Sequence, residues 1–377
     1  MEDNSEPRQY PLEARTGPLP KIPTTPFWRT RKGVIGITIL ALAIIGAIVG
    51  VVVSLEVKKS NNAKESDSGA GAASNNGTSN VAALGGAGVA AVNLPSNGIR
   101  LYFQKDDGFI YEALWYQTTN WHSTYAKLFQ PKPGSPLTAI TFPPTQIHIY
   151  YLDNSNALQE YIYNHGWSNG ATLPATDLSP STSLAATTWT TASSQEIRVY
   201  YQKQDNTIQE LVYSTSSGWS SGNSFTDQAY PGTGIGAFAT NFNNDTLATR
   251  VFWQANDLTL NEYVYPGWTR DTLQWSATPS GSISAAAWLD TSGNTRVRLY
   301  FENSAGYVEE VSNNGPSWAV NPNVPANVLA GFKAPISATM WLDGGAAQIR
   351  TYVKSNSSNT HVEIAYSGNW TSMDLDF

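Results

Sequence analysis

Six basic residues, Arg100, His148, Arg198, Arg250, Arg298 and Arg350, recur along the chain at intervals of 48, 50, 52, 48 and 52 residues. Each is followed by an acid: Glu112, Glu160, Glu210, Glu262, Glu310 and Glu363. Five of the six separations are twelve residues and the last is thirteen. A guanidinium presents donors in a planar fork and a carboxylate presents acceptors, so the two together can satisfy a molecule rich in hydroxyl groups. A Trp trails each acid by six to nine positions: Trp121, Trp167, Trp219, Trp268, Trp318 and Trp370. An indole is a flat apolar wall with one N–H, suited to the C–H face of a sugar ring or to a deoxy-sugar methyl. The competing reading is structural: a cross-strand ion pair worth ~0.2–1 kcal/mol and a packing Trp. Burying apolar faces does not require the same charged pair six times, and the repetition favours a binding role.

The elements that carry these residues are hairpins. In "IRVYYQKQDNTIQELVYS", Ile197 to Ser214, apolar and polar residues alternate on both arms around the turn-forming "KQDNT". An even separation places Arg198 and Glu210 on one face if the loop holds an odd number of residues. The thirteen-residue separation of the last pair comes with the longest loop, "KSNSSNTH", where one added residue restores the phase. Strand-like segments such as "LTAITF", "LAATTW", "ISAAAW" and "ISATMW" precede most hairpins. Units of about 50 residues with three or four short strands and no helical period predict a β-propeller. Six units predict an all-β, six-bladed propeller over residues 93–377.

Composition narrows the chemistry. The net charge is −7, with 14% charged residues and no Lys/Arg-rich aromatic patch, which argues against nucleic acid. There is no Cys, and the four His residues lack metal-ligand spacing, so neither a thiol nucleophile nor a metal or other cofactor is expected. Glycoside hydrolysis generally uses two carboxylates roughly 5–9.5 Å apart, whereas each repeat supplies one recurring acid. Hydrolase and phosphate-binding signatures are absent as well. These observations favour binding over catalysis.

Before the repeats lie three compositionally distinct stretches. Residues 1–32 are polar and Pro-rich and predict a disordered cytosolic tail. Residues 33–55, "GVIGITILALAIIGAIVGVVVSL", carry no charge and are long enough for one transmembrane helix. Residues 56–92 are rich in Ser, Asn, Gly and Ala and read as a flexible stalk. Five basic residues close before the span against three after it predict a single-pass type II membrane protein, its propeller extracellular or lumenal. Sequons at Asn76, Asn244, Asn356 and Asn369 are compatible with a glycoprotein on that side. Gly46 and Gly50 form one GxxxG, a pattern of helix-dimer faces, so a homodimer is one reading of the span. Two small residues in a Val/Ile-rich helix are the simpler one.

The Arg-x(11)-Glu pattern with its trailing Trp, repeated six times over about three quarters of the chain, resembles the fungal fucose-specific lectins typified by Aleuria aurantia lectin. The resemblance implies a six-bladed propeller with fucose pockets between adjacent blades and fucosylated glycans as partners. It also implies that the Arg and Glu of one blade bind the sugar, that an aromatic three positions after the Glu packs near the sugar methyl, and that a Trp of the next blade completes the pocket. Carried over, the first pocket uses Arg100, Glu112, Trp115 and Trp167. The second uses His148, Glu160, Tyr163 and Trp219, and departs most, with His in place of Arg. The third uses Arg198, Glu210, Tyr213 and Trp268, and the fourth Arg250, Glu262, Tyr265 and Trp318. The fifth, Arg298 and Glu310 with Trp370, has Asn313 where an aromatic is expected and should be weaker. The sixth uses Arg350, Glu363, Tyr366 and Trp121 across the closure. The readings from other classes are a glycan-processing propeller enzyme and an interaction scaffold with decayed sugar sites.

Overall fold

In the third repeat, Leu184–Thr190, Gln195–Gln202, Ile208–Ser214 and Gly218–Ser224 pair in that order as one antiparallel sheet. Alternation puts Ile197, Val199 and Leu211 into a buried face, while the outermost strand, rich in Ser and Gly, is largely exposed. The pattern recurs in blades over residues 89–127, 137–172, 184–224, 236–276, 283–320 and 336–375, numbered here 1 to 6. Five of these sheets have four strands; blade 1 has a fifth, short segment, Ala126–Lys127. This computed structural model describes residues 88–375 apart from 95–97, 123–125, 143–144, 192, 243–245, 316, 325–327, 332 and 356–359. All described residues fall within the compact unit 79–377.

The innermost strands are built from small residues, as in "VAAVNL", "LAATTWT" and "ISAAAWL". Six strands converge at the propeller axis, and large side chains there would collide. Outward, the blades pack face to face through apolar clusters that alternate with them, such as Ile140, Phe142 and Tyr150 of blade 2 against Ile197, Val199 and Leu211 of blade 3. Each fully buried aliphatic or aromatic side chain contributes about 1.5–3 kcal/mol, so the clusters, not surface charges, hold the blades together. Blade 6 closes on blade 1 without strand exchange. The Ala91 amide donates to Ser337 Oγ at 2.9 Å, and Ala91, Leu101 and Phe103 pack with Trp341, Tyr352 and Leu375.

The six-bladed, all-β expectation holds. The boundary at residue 93 does not: Val89–Leu94 is the innermost strand of blade 1, paired with Gly98–Gln104. Its Ala- and Val-rich composition continues that of the preceding Gly/Ala tract, so the transition leaves no mark in composition. The tail over residues 1–32, the span over 33–55 and nearly all of the stalk lie outside the described residues, as do Asn76, Asn244 and Asn356. Asn369 is exposed, in a bend before the last strand. Among the described residues no helix is long and apolar enough to cross a membrane.

Candidate functional site

The hairpin geometry sets the site. Across Gln195–Gln202 and Ile208–Ser214, Arg198 pairs with Val212 and Tyr200 with Glu210, leaving a five-residue loop. Arg198, Tyr200 and Glu210 therefore share one face. The sixth blade reaches the same arrangement with a six-residue loop, because Tyr352 pairs with Glu363 and Lys354 with His361. The added loop residue restores the phase.

Each acid is buried, with at most 5% of its surface exposed, and each is tied down. Phenolic hydroxyls of Tyr102, Tyr150, Tyr200 and Tyr352 donate to Glu112, Glu160, Glu210 and Glu363 at 3.0, 3.0, 2.9 and 2.9 Å. Burial and the neighbouring carboxylate push these phenols well above their ordinary value, so they remain donors. In blades 2 and 3 the register shifts beside the acid, and the backbone amides of Ala171 and Asn223 donate to Glu160 and Glu210 at 3.1 and 3.0 Å. The acids press against Gly170 and Gly222: a Cβ on Gly170 would lie 2.5 Å from Glu160 Oε2. Burial raises the carboxyls of Glu262, Glu310 and Glu363 above the usual range, with the facing guanidinium opposing it in each case.

The basic partners follow in two geometries. Arg100 and Arg250 donate through Nη1 to Glu112 and Glu262 at 2.7 and 3.0 Å. Arg198, Arg298 and Arg350 instead turn Nε toward Glu210, Glu310 and Glu363, at 3.6, 3.3 and 3.6 Å. His148 meets Glu160 through Nδ1 at 2.8 Å.

The opposite face of every blade carries the trailing Trp. Trp167, Trp219, Trp318 and Trp121 set their ring edges against Tyr102, Tyr150, Phe252 and Tyr352 of the preceding blade, with centroids 5.8–5.9 Å apart and planes at 84–88°. Trp268 packs in the cluster that holds Tyr200, and Trp370 in the one that holds Tyr300. In each blade interface the Trp of the following blade thus packs against, or in one cluster with, the aromatic residue two positions after the basic one. The neighbouring indoles of Trp318 and Trp121 also oppose the rise of the Glu262 and Glu363 carboxyls, which sets these rings beside the acids.

The aromatic three positions after each acid is placed differently from expectation. Trp115 pairs with Ile99 and Tyr213 with Ile197, on the face opposite Arg100 and Arg198. An odd offset along a strand reverses the face. Tyr163 accordingly lies under Arg100, and Trp115 lies 5.8 Å from Arg350 Cζ across the closure. Tyr213, Tyr265 and Tyr366 belong with the preceding pairs as well, beside Trp219, Trp268 and Trp370 at 5.3, 5.4 and 5.1 Å. Asn313, which pairs with Trp318, therefore leaves its gap in the fourth pocket and not the fifth. The corrected pockets combine Arg100 and Glu112 with Tyr163 and Trp167; His148 and Glu160 with Tyr213 and Trp219; Arg198 and Glu210 with Tyr265 and Trp268. The remaining three combine Arg250 and Glu262 with Trp318; Arg298 and Glu310 with Tyr366 and Trp370; Arg350 and Glu363 with Trp115 and Trp121.

Sequence reasoning passed over one set of residues. Trp189, Trp288 and Trp341, near the ends of innermost strands, lie 4.6, 5.0 and 5.1 Å from Cζ of Arg198, Arg298 and Arg350. Their signal was visible as the terminal Trp of "LAATTW", "ISAAAW" and "ISATMW".

A six-bladed propeller whose blade interfaces each pair a buried acid and a basic residue with an indole has the chemistry of a carbohydrate-binding protein. The chain belongs to the fungal fucose-specific lectin family, whose sequence pattern matches residues 84–373, and is thus one of a family of lectins rather than of enzymes. It is 34% identical to a fucose-specific lectin of Aspergillus fumigatus, over 59% of this chain and 73% of the relative. It is 30% identical to that of Aleuria aurantia, over 64% and 77%. Among solved structures, Aleuria aurantia lectin in complex with Fucα1-6GlcNAc superposes with a TM-score of 0.64 at 25% identity, covering 77% of this chain and 96% of that one. SapL1 lectin in complex with α-methyl fucoside gives 0.63 at 25% identity, with the same coverage.

Proposed function

We propose that the propeller binds L-fucose of fucosylated glycans in the pockets between its blades. The observation that carries this reading is the recurrence of one constellation, a buried Glu facing a basic residue on one blade and the Trp of the next, at all six blade interfaces. The guanidinium and the indole N–H supply donors to the sugar hydroxyls, the carboxylate accepts from them, and the aromatic walls take the C–H face and the methyl. Because Tyr and backbone donors hold the acid beforehand, little ordering remains to be done on binding. Several modest sites on one rigid body favour multivalent glycans, where linked weak contacts gain without new ones.

The same reading places the propeller on the outer or lumenal side of a membrane. The uncharged run over residues 33–55 serves as a single-pass anchor, and residues 56–88 serve as a tether that lets the pockets reach a glycan surface. Protease added to intact cells should then remove the propeller and leave the N-terminal tail protected. The sugar specificity is tested by a glycan-array screen of residues 79–377, the unit that includes the innermost strand of blade 1. Retention restricted to fucosylated glycans supports the reading, and a folded protein that retains none contradicts it.

A further inference from the structure

We infer that Trp189, Trp288 and Trp341 are positioning residues that divide the six pockets into two binding classes. The inference rests on the reading of these pockets as fucoside sites. The register puts each of the three on the pocket face. Arg198 pairs with Thr187, Arg298 with Ala286 and Arg350 with Thr339, and the Trp stands two residues further along the innermost strand. The guanidinium lies over the indole at 4.6, 5.0 and 5.1 Å in the three blades. The equivalent residues of the other blades are Leu94, Phe142 and Thr240, from the partners Val92, Ile140 and Phe238.

The side chain at this position tracks how the basic group meets its acid. Over a Trp, Nη1 is drawn back to the carbonyl of the preceding residue, Ile197, Val297 or Ile349, at 2.9, 2.8 and 2.8 Å. The Nε edge then faces the carboxylate at 3.3–3.6 Å, and in Arg350 Nη2 donates to Ser367 Oγ at 3.2 Å. That separation is too long for a strong charge-assisted hydrogen bond, which runs to about 2.9 Å. A hydroxyl oxygen entering the pocket can therefore meet the fork edge and the carboxylate without first breaking a bond between them. Over Leu94 and Thr240 the Arg swings to donate Nη1 directly to Glu112 and Glu262, at 2.7 and 3.0 Å. A sugar entering these pockets must share or displace an existing ion-pair bond. The second pocket, with Phe142 5.0 Å from His148 and His148 bonded to Glu160, falls in the same class. Pockets three, five and six are thus the tight class, and one, two and four the weak class.

Titration calorimetry of the full-length chain with methyl α-L-fucoside tests this, with thermal unfolding followed on the same samples. The parent should resolve two affinity classes, three sites in the tighter. Trp189→Leu and Trp288→Leu should each move one site to the weaker class, a loss of about fivefold for that site from the missing cation–π contact. Trp189→Phe keeps a ring face and should retain most of the affinity. Leu94→Trp should add a tight site in the first pocket, and it decides the matter if either Leu variant fails to fold. A parent that binds no fucoside overturns the proposed function itself. A parent that binds, with Trp189→Leu, Trp288→Leu and Leu94→Trp all leaving the class populations unchanged, overturns this inference alone.

Discussion

Tyr163 belongs to blade 2 yet lies beneath Arg100 of blade 1, with the guanidinium carbon 4.9 Å from its ring centroid. The same parity moves Asn313 into the fourth pocket, where it stands in place of the expected aromatic. Asn313→Tyr should therefore strengthen fucoside binding at Arg250 and Glu262 by two- to fivefold, the scale of one exposed cation–π contact of about 0.5–1 kcal/mol. Calorimetry in two backgrounds separates the pockets. The gain should persist in Arg298→Ala, which disables pocket five, and vanish in Arg250→Ala.

The second pocket is the one with His in place of a guanidinium. Neutral His has one donor where Arg has five, so fewer sugar hydroxyls find partners. Tyr213, Trp219 and the buried Glu160 are otherwise in place. His148→Arg should raise the affinity of this site about ten- to hundredfold, the worth of a charge-assisted hydrogen bond. A calorimetric count of sites before and after the substitution checks it.

Gly222 makes room for the Glu210 carboxylate, which accepts from the Asn223 amide. In Gly222→Ala the added methyl meets that carboxylate and the Val212 side chain, 2.6 Å from Val212 Cγ1, so the acid must shift. The third pocket should weaken about tenfold although neither Arg198 nor Trp268 is altered. Gly218→Ala, with open space around its Cβ position, should leave sugar binding alone and cost only the strain of its positive φ of 70°. Equal affinity losses in the two variants would contradict the packing argument.

Away from the pockets, Glu302 replaces a repeated Gln. Gln104, Gln202 and Gln254 each donate Nε2 to carbonyls between blades and accept a backbone amide through Oε1. Glu302 accepts from the Lys333 amide at 2.9 Å, but Oε1, where the others carry a donor, is buried without a partner. Burial raises this carboxyl to about 7. An unfolded Glu titrates near about 4.3, so between those values the folded state alone holds the proton. The contribution of the protonated form is complete below about pH 4.3 and is lost as the pH rises through about 7. Glu302→Gln restores the donor at every pH. Its gain in thermal midpoint over the parent should be larger at pH 8 than at pH 5, read from paired unfolding curves.

Much of this was legible in the chain. The twelve-residue separation of Arg198 and Glu210 fixed their common face, and the recurrence of Trp fixed the blade count. The odd offset of Trp115 from Glu112 held the correct assignment too, since parity sends it to the other face, but family resemblance had grouped the two. Val89–Leu94 escaped because small residues serve both a Gly/Ala-rich tract and a strand near a propeller axis. Trp189 stood out as the terminal Trp of "LAATTW" but was not joined to Arg198, because their approach depends on the pairing register that the turn between the two strands sets. The significance of Glu302 depends on which carbonyls surround it, which only the packed blades reveal.

The central claim is that the sugar sits between blades, held by the Arg and Glu of one and the indole of the next. A crystal structure of residues 79–377 with methyl α-L-fucoside measures this directly. The account predicts sugar density first at the third, fifth and sixth interfaces, with hydroxyls on Arg198 and Glu210 and the ring against Trp268 in the third. Fucoside bound elsewhere on the propeller, with these interfaces left free of sugar at saturating concentration, would contradict it.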